Sequence, residues 1–373
     1  MADLSVAICS LKFENPVLPA AGPTVWDGRA MLRCVEGGAG GIVSKTISTT
    51  AAQVPQPCMA EYGKGSMLNT ELWAEYPPDQ YIEHEYAIAR QPGVPLIISL
   101  GYTADQIAAL APRVRPFADA LELSTHYIGD DPQPMVDAIR AAKEAVDVPV
   151  FVKFSPFRDV QRAADAAQQA GADGIVAVNS YGPSFGIDIE TGMPLMGSRE
   201  GYGWLSGQAI KAIALRCVYD IARTVDLPIF GVGGISHGED AIEFLMAGAS
   251  AVQVCTVAIL RGPQVHGRIV RQIDKWLDAH DYASVREIQG LTLRKVRERA
   301  FRTTHVPPEL DLDACIGCAI CPTSCVYGAL EMVGQSKTPT YKVKLHPDLC
   351  WGCGICATRC PTRALTMLGV SAQ

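Results

Sequence analysis

The cysteines of this chain are distributed very unevenly. The sequence has 13 cysteines in 373 residues, and eight of them fall between Cys315 and Cys360. They form the spacing C-x2-C-x2-C-x3-C twice, first as Cys315, Cys318, Cys321 and Cys325 and then as Cys350, Cys353, Cys356 and Cys360. Thiolates at this spacing hold [4Fe-4S] clusters, because three of them reach one cluster from a tight loop. The sequence therefore predicts two [4Fe-4S] clusters that carry single electrons.

The fourth cysteine of each motif is predicted to lie on a helix and to reach the other cluster. This assigns Cys360 to the set of Cys315, Cys318 and Cys321, and Cys325 to the set of Cys350, Cys353 and Cys356. Two zinc sites are the alternative, since C-x2-C pairs also build four-thiolate zinc sites. A zinc site, however, has no use for three cysteines in a row at x2 spacing that are followed by a fourth at x3 spacing.

Short apolar runs alternate with alanine-rich amphipathic stretches in the part of the chain before residue 300. The runs lie at 17–21, 41–47, 95–101, 120–125, 149–156, 174–180, 228–234 and 251–257, and helices are predicted at 159–170, 206–223 and 238–247. At three joints a helix is followed by a Gly-Ala turn, in which glycine provides a left-handed cap. Eight strands that cross over through helices predict an α/β fold, the (β/α)8 TIM barrel, with an open doubly wound sheet as the alternative. We expect the barrel to span residues 1–305 and a smaller domain with both clusters to span 306–373.

In such barrels the chemistry lies at the carboxyl ends of the strands. Those ends carry Gly22, Lys45, Thr46, residues 124–127, Lys153, Asn179, Ser180, Gly233, Gly234, Cys255 and Thr256. A lysine that ends a buried strand needs an anionic or polar partner, although it could also extend to the rim. The glycine-rich ends of strands seven and eight suit phosphate binding by backbone N–H groups. Together these features predict a phosphorylated cofactor at the mouth of the barrel.

The overall composition is that of a globular protein. Hydrophobic residues make up 48% of the sequence and charged residues 19%, which is enough apolar surface for a large core. No run of roughly 18 apolar residues and no secretory signal pattern is present, so we expect a cytoplasmic protein that does not bind membranes. The net charge of −7, without clustered Lys and Arg, argues against a nucleic-acid partner.

Several segments of the predicted barrel carry a family resemblance. NPVLPAAGP, SKT at 44–46, LNTEL at 68–72, VKFSP, AVNS, LSGQAIKAIALR, FGVGGI and AGASAVQVCT look like the FMN barrel of the dihydroorotate and dihydropyrimidine dehydrogenase family. The cysteine motifs resemble a bacterial ferredoxin domain. Barrel and ferredoxin-like domain together are similar to the iron-sulfur subunit of the bacterial two-subunit dihydropyrimidine dehydrogenases.

The resemblance implies which residues hold FMN and substrate. The main chain of Ala21 and Gly22 would touch the flavin, and Lys45, Thr46 and Lys153 would lie near the isoalloxazine ring. The ribityl phosphate would be held by Ser206, Gly207, Gly233, Gly234, Cys255 and Thr256. Asn69, Asn179 and Ser180 would face the substrate, with Asn179 also next to the flavin.

Strand four departs from the family pattern. The family has Asn-Leu-Ser-Cys-Pro there, in which the asparagine binds the substrate and the cysteine exchanges a proton with it. This chain has Glu122, Leu123, Ser124 and Thr125, followed by His126 and Tyr127. With Leu-Ser in register, Glu122 takes the asparagine position and is assigned to the substrate. We expect the proton donor to be Tyr127 first, His126 second and Thr125 third.

The resemblance implies an FMN- and iron-sulfur-dependent oxidoreductase that acts on a C=C bond of a small cyclic, carbonyl-conjugated substrate. A dihydropyrimidine/uracil couple is the first expectation, and another cyclic enone, an aromatic ring or its thioester is the second. Dihydroorotate is the third, because no cationic partner for its carboxylate is evident. A flavin and iron-sulfur electron-transfer protein without a substrate is the alternative from a different class. Because no nicotinamide-binding fold is visible, the electron donor would be a ferredoxin or a flavin subunit that oxidises NAD(P)H. The family also implies a homodimer.

Overall fold

The computed structural model describes residues 2–125, 131–156, 159–299 and 301–367. The chain divides into two compact units, Met1–Glu298 and Arg299–Gln373. Among the described residues, no helix combines the length and the apolar character that crossing a bilayer requires.

The strands of the first unit are short, between two and six residues each. They are β1 (Val6–Ile8), β2 (Leu11–Phe13), β3 (Val17–Pro19), β4 (Ile42–Val43), β5 (Met59–Glu61), β6 (Ser66–Asn69), β7 (Leu96–Leu100), β8 (Ala120–Ser124), β9 (Val150–Phe154), β10 (Gly174–Ala177), β11 (Tyr181–Phe185), β12 (Tyr202–Gly207), β13 (Ile229–Val232) and β14 (Ala251–Val254).

Helices separate most of these strands. They are α1 (Gly28–Glu36), α2 (Pro78–Gln80), α3 (Tyr86–Ala89), α4 (Ala104–Val114), α5 (Gln133–Ala145), α6 (Val160–Gln169), α7 (Lys211–Ala222), α8 (Gly238–Ala247), α9 (Thr256–Arg261), α10 (Val265–Ala279), α11 (Val285–Ile288) and α12 (Leu291–Glu298). One turn of π-helix, Tyr81–Glu85, joins α2 to α3, and short 3-10 turns occupy Pro23–Val25 and Gln208–Ile210.

Eight strands form one parallel sheet in the order β3-β14-β13-β10-β9-β8-β7-β4. Their residues are buried throughout, as expected for a parallel sheet that is covered on both faces. The two end strands approach each other, and the Gly40 amide donates to the Val17 carbonyl at 2.9 Å. The sheet is therefore a nearly closed barrel. This confirms the predicted (β/α)8 fold, and each predicted apolar run contains one barrel strand.

Glycines terminate helices as the sequence predicts, but one predicted helix starts too early. Gly248 ends α8 with a φ of 120°, and Gly38 and Gly171 follow α1 and α6 with φ of 100° and 90°. The helix predicted from residue 206 begins only at Lys211, because residues 206 and 207 end β12. Gly207 has a φ of 82°, and a Cβ there would lie 2.4 Å from the Gly65 carbonyl oxygen. The chain must therefore turn before the helix can start.

A second, antiparallel sheet in the first unit has the order β11-β12-β6-β5. Asn69 ends β6 opposite Trp204 of β12, and its Nδ2 donates to the Trp204 carbonyl at 3.0 Å. The segment between the sixth barrel strand and α7 is therefore a β-hairpin that is hydrogen-bonded to β6.

The second unit is built from two similar halves. Its strands are β15 (Glu309–Leu310), β16 (Leu330–Val333), β17 (Lys342–Leu345) and β18 (Leu365–Thr366), and its helices are α13 (Ile320–Ser324) and α14 (Ile355–Arg359). The strands pair as β15 with β18 and β16 with β17, so the first pair joins the two ends of the unit and the second is a hairpin of consecutive strands. Each cysteine motif runs through one of the helices, and its last cysteine directly follows the helix end.

Candidate functional site

One large cavity lies at the carboxyl ends of the barrel strands, bordered also by β6 and β12 of the antiparallel sheet. Its volume is about 1100 Å³, including the part that is open to solvent. The sequence-predicted residues that line it are Ala21, Gly22, Lys45, Thr46, Asn69, Lys153, Asn179, Ser180, Ser206, Gly207, Gly233, Gly234, Cys255 and Thr256. The carboxyl ends of the barrel strands therefore bring together residues that are up to 235 positions apart in sequence, from Ala21 to Thr256.

The two lysines in the cavity are buried, and each is paired with a carboxylate. The Lys45 ammonium donates to Glu71 and lies 3.8 Å from Glu75 Oε2. The Lys153 ammonium donates to Glu122 Oε1 at 3.2 Å. Pairing of this kind is what permits a lysine to be buried. The lysines are therefore fixed in the cavity wall and do not extend to the rim.

Glu122 does not border the cavity. Its side chain is fully buried, and it lies behind Lys153 and Gln253, with the Gln253 Nε2 donating to its Oε2 at 2.8 Å. Ser124, two residues later on the same face of β8, lines the cavity in its place. The assignment of Glu122 to the substrate had assumed a side chain at the strand end. The side chain is instead one layer deeper in the barrel.

Gln253 is a cavity residue that the sequence analysis missed. Its side chain is fully buried in β14, and within the described part of the chain its Oε1 has no hydrogen-bond partner. A buried acceptor without a partner costs free energy, so this atom suits the N–H of a bound ring. The sequence did indicate a special position, because a glutamine in the otherwise apolar strand AVQV needs a polar partner inside the barrel.

Glu71 and Tyr102 also line the cavity without having been predicted. Burial raises the pKa of the Tyr102 phenol, so the phenol keeps its proton at neutral pH. Tyr102 directly follows the third predicted strand, so it could have been predicted as a site residue from its place at the carboxyl end of that strand.

The segments that are predicted to hold the FMN phosphate contain glycines with positive φ. Gly233 and Gly234 have φ of 126° and 78°, and a Cβ on Gly234 would lie 2.7 Å from Lys211 Cβ. Nearby, the Thr256 hydroxyl donates to the Ser206 hydroxyl at 2.9 Å. These segments leave backbone and hydroxyl groups at the cavity wall where side chains would otherwise fill it, which suits a phosphate.

Cys255 lies at the cavity wall beside Gly22, where a Cβ would come within 2.8 Å of its Sγ. Burial raises the pKa of the Cys255 thiol, although Lys153 and Lys45 act in the opposite direction. The thiol therefore remains protonated at neutral pH. Only glycine at position 22 leaves room for the chain to pass this sulfur.

The three predicted proton donors lie at or after the end of β8. Thr125 is partly buried, but it is not among the residues that line the cavity. His126 and Tyr127 lie outside the described residues. The proton partner therefore stays a prediction.

The cysteines of the second unit form two groups. One cavity of about 340 Å³ is bordered by Cys325, Cys350, Cys353 and Cys356. The other group surrounds Cys321, whose pKa is raised to about 11 by burial and by the nearby Cys318, Cys315 and Cys360. None of these eight described cysteines forms a disulfide. Each motif thus contributes its last cysteine to the other motif's group, which is the arrangement that two cubane clusters need.

Glycines make room beside both thiol groups. Gly317 and Gly352 each lie two residues after the first cysteine of a motif, and both have a φ of 68°. Cβ atoms there would lie 2.5 Å from the Tyr341 carbonyl and 2.8 Å from the Val306 carbonyl. In the second group the Gly352 amide donates to Cys350 Sγ at 3.4 Å. Among the described residues, no three His, Cys, Asp or Glu side chains are placed to hold a single metal ion.

Comparisons with known proteins agree with both halves of this description. The family model described as dihydroorotate dehydrogenase matches residues 3–277, and one described as a 4Fe-4S dicluster domain matches residues 314–364. Similar curated proteins are catalytic subunits of dihydroorotate dehydrogenase B (NAD(+)). The one from Methanothermobacter thermautotrophicus is 36% identical over 301 residues, covering 77% of this chain and 98% of the relative. Those from Pyrococcus horikoshii and Thermococcus kodakarensis are each 35% identical, covering 78% and 79% of this chain and 98% and 99% of the relative.

Proposed function

Because this chain belongs to the dihydroorotate dehydrogenase family, we propose that it interconverts a dihydroorotate-type ring and its C=C form. The chain is an FMN- and iron-sulfur-dependent oxidoreductase acting on CH–CH groups, with a barrel followed by a dicluster domain. The single observation that carries the proposal is the cavity in which two paired lysines, the glycine segments and Asn69 and Asn179 meet.

The residues of the cavity suit distinct parts of this task. Gly233, Gly234 and Ser206 would hold the FMN phosphate, and Lys153 would stabilise negative charge on the reduced ring. Asn69, Asn179 and Ser180 would bind the carbonyl and N–H groups of the substrate. FMN, when bound, takes up two electrons as a hydride and releases them singly.

Oxidation of the ring also releases a proton from the neighbouring carbon, and a residue of this chain must accept it. Tyr127, His126 and Thr125 remain our candidates, in that order. In the reverse direction the same residue would return the proton to the ring carbon.

Two [4Fe-4S] clusters in the second unit would carry the electrons between FMN and an outside protein. The two four-thiol groups support this assignment. The outside protein would be a ferredoxin or a separate flavin subunit that reacts with NAD(P)H. The curated relatives are themselves named catalytic subunits of NAD(+)-dependent enzymes, which favours the second of these partners.

An anaerobic titration tests the proposal. Dihydroorotate added to the oxidised holoenzyme should bleach the visible absorbance of FMN, and orotate added to the reduced enzyme should restore it. The enzyme with buffer alone is the control. If neither dihydroorotate nor orotate changes the flavin spectrum, the dihydroorotate assignment is wrong.

One observation favours a neutral ring, such as uracil, as a second candidate. The Lys45 charge is already matched by Glu71, which lines the cavity, and a substrate carboxylate near Glu71 would be repelled. Uracil and thymine added to the reduced enzyme distinguish this candidate. Reoxidation of FMN by uracil but not by orotate would identify a dihydropyrimidine dehydrogenase activity.

A further inference from the structure

A buried trio of side chains crosses the floor of the cavity. Lys153, Glu122 and Gln253 come from the neighbouring strands β9 and β8 and from β14 on the opposite side of the barrel. Glu122 stands between the other two, accepting from Lys153 Nζ at 3.2 Å and from Gln253 Nε2 at 2.8 Å. Only Lys153 and Gln253 reach the cavity wall. Glu122 therefore acts on the cavity only through its two partners.

The chemistry of a carboxylate fixes how each partner is presented. An ionised carboxylate only accepts hydrogen bonds, so the Gln253 amide must turn its NH2 group towards Glu122. The carbonyl Oε1 is then the end that has no partner among the described residues. On the other side, the Lys153 ammonium donates to Glu122 Oε1 at 3.2 Å, which holds this donor in the cavity wall. One carboxylate thus presents a cationic donor and a neutral acceptor to the same cavity.

The Lys153 donor and the Gln253 acceptor match the pyrimidine edge of a flavin, on which C=O acceptors alternate with an N–H donor. We propose that Glu122 is a positioning residue for the flavin, setting the affinity and the reduction potential of bound FMN through Lys153 and Gln253. The inference rests on the proposed function only in that FMN occupies the cavity. It does not depend on which substrate reacts, nor on which residue exchanges the proton.

The test compares four variants with the wild type by FMN affinity of the apoprotein and by the midpoint potential of bound FMN, without substrate. Glu122→Gln removes a negative charge near the flavin and lets the Gln253 amide reverse. It should weaken FMN binding roughly tenfold or more and shift the potential to more positive values, because reduction adds negative charge to the ring. Glu122→Asp keeps the charge, so its potential should stay near that of the wild type.

Gln253→Met removes the acceptor but no charge, so it should weaken FMN binding and leave the potential nearly unchanged. Glu85→Gln is the matched control, since Glu85 is also a buried carboxylate that accepts two hydrogen bonds, from Gly28 N and Gln80 Nε2, both at 2.8 Å. It lies outside the cavity lining and should change neither quantity.

Three results would overturn the inference. One is Glu122→Gln with the FMN affinity and potential of the wild type. Another is a shift in potential of equal size in Glu122→Gln and Glu85→Gln, which would mean a general effect of altered stability. The third is Gln253→Met that binds FMN as tightly as the wild type. A wild-type chain that binds no FMN would instead reject the proposed function itself, whereas lack of reaction with every substrate would leave the role of Glu122 intact.

Discussion

Glu71 is the residue that most affects the choice between a charged and a neutral substrate. Its carboxylate is largely buried beside Lys45 and faces the cavity. Glu71→Gln should therefore strengthen orotate binding relative to uracil, by roughly tenfold or about 1.4 kcal/mol, because repulsion between like charges is removed. Dissociation constants from changes in the flavin spectrum would measure the ratio.

The matched control for this substitution is Glu75→Gln. Glu75 also lies near Lys45, at 3.8 Å, but its side chain is about half exposed, so solvent screens its charge. The effect of Glu75→Gln on the ratio of orotate affinity to uracil affinity should be several-fold smaller. Equal effects of the two variants would mean that Glu71 has no special place beside the substrate.

His266 should make the barrel less stable in mild acid. Burial lowers the pKa of its imidazole, against an opposing contribution from its bond to the Pro263 carbonyl. The folded chain thus takes up a proton at this site less readily than the unfolded chain, whose imidazole has a pKa near roughly 6.5. Stability is unaffected above that pH and falls as the pH drops below it. Between pH 7 and pH 5.5 the wild type should therefore lose more stability than His266→Asn.

Urea unfolding at the two pH values measures this difference. Asparagine can keep the donor to the Pro263 carbonyl, but it does not titrate. His84→Asn is the control, because the same substitution is then made at a largely exposed side chain. A wild type and a His266→Asn variant with parallel pH profiles would show that His266 does not contribute.

The elements follow from the sequence more directly than the orientation of individual side chains does. Apolar runs between helices sufficed to predict the eight barrel strands, because burial on both faces leaves a continuous hydrophobic pattern. Glu122 was predicted to face the substrate but lies below the cavity wall, because the pattern of a strand does not indicate in which layer of the barrel a polar side chain lies. Gln253 was missed because its role depends on Glu122, which is 131 residues away in sequence. The start of α7 was missed because the pairing of β12 with β6 is a long-range interaction.

The glycine that ends α8 illustrates how an element boundary depends on its surroundings. Gly248 has a φ of 120°, and a Cβ there would lie 2.5 Å from Ala222 Cβ. Gly248→Ala should therefore destabilise the barrel by roughly 2–4 kcal/mol, through both backbone strain and crowding. Gly171 has a similar φ of 90° but open space around it, so Gly171→Ala should cost only about 1 kcal/mol. Urea midpoints followed by circular dichroism would compare them, and equal losses would contradict the part assigned to Ala222.

Pairs of substitutions, unlike single ones, can show which cysteines of the second unit hold the same cluster. Cys325 and Cys353 border the same cavity, although they belong to different motifs, whereas Cys318 belongs to the group around Cys321. Replacing two ligands of one cluster should remove only that cluster. Cys325→Ser with Cys353→Ser should thus leave roughly four of the roughly eight irons per chain, with one cluster still detected by electron paramagnetic resonance after reduction.

The contrasting pair is Cys325→Ser with Cys318→Ser, which should disturb both clusters although both cysteines lie in the same motif. If each motif instead held its own cluster, this second pair would keep roughly four irons and the first pair would lose them all. The outcome also bears on electron flow. A chain with one cluster should still have its FMN bleached by substrate, because that step needs only the barrel. It should pass electrons to an outside acceptor slowly, if the clusters are the route from FMN to that acceptor as we propose.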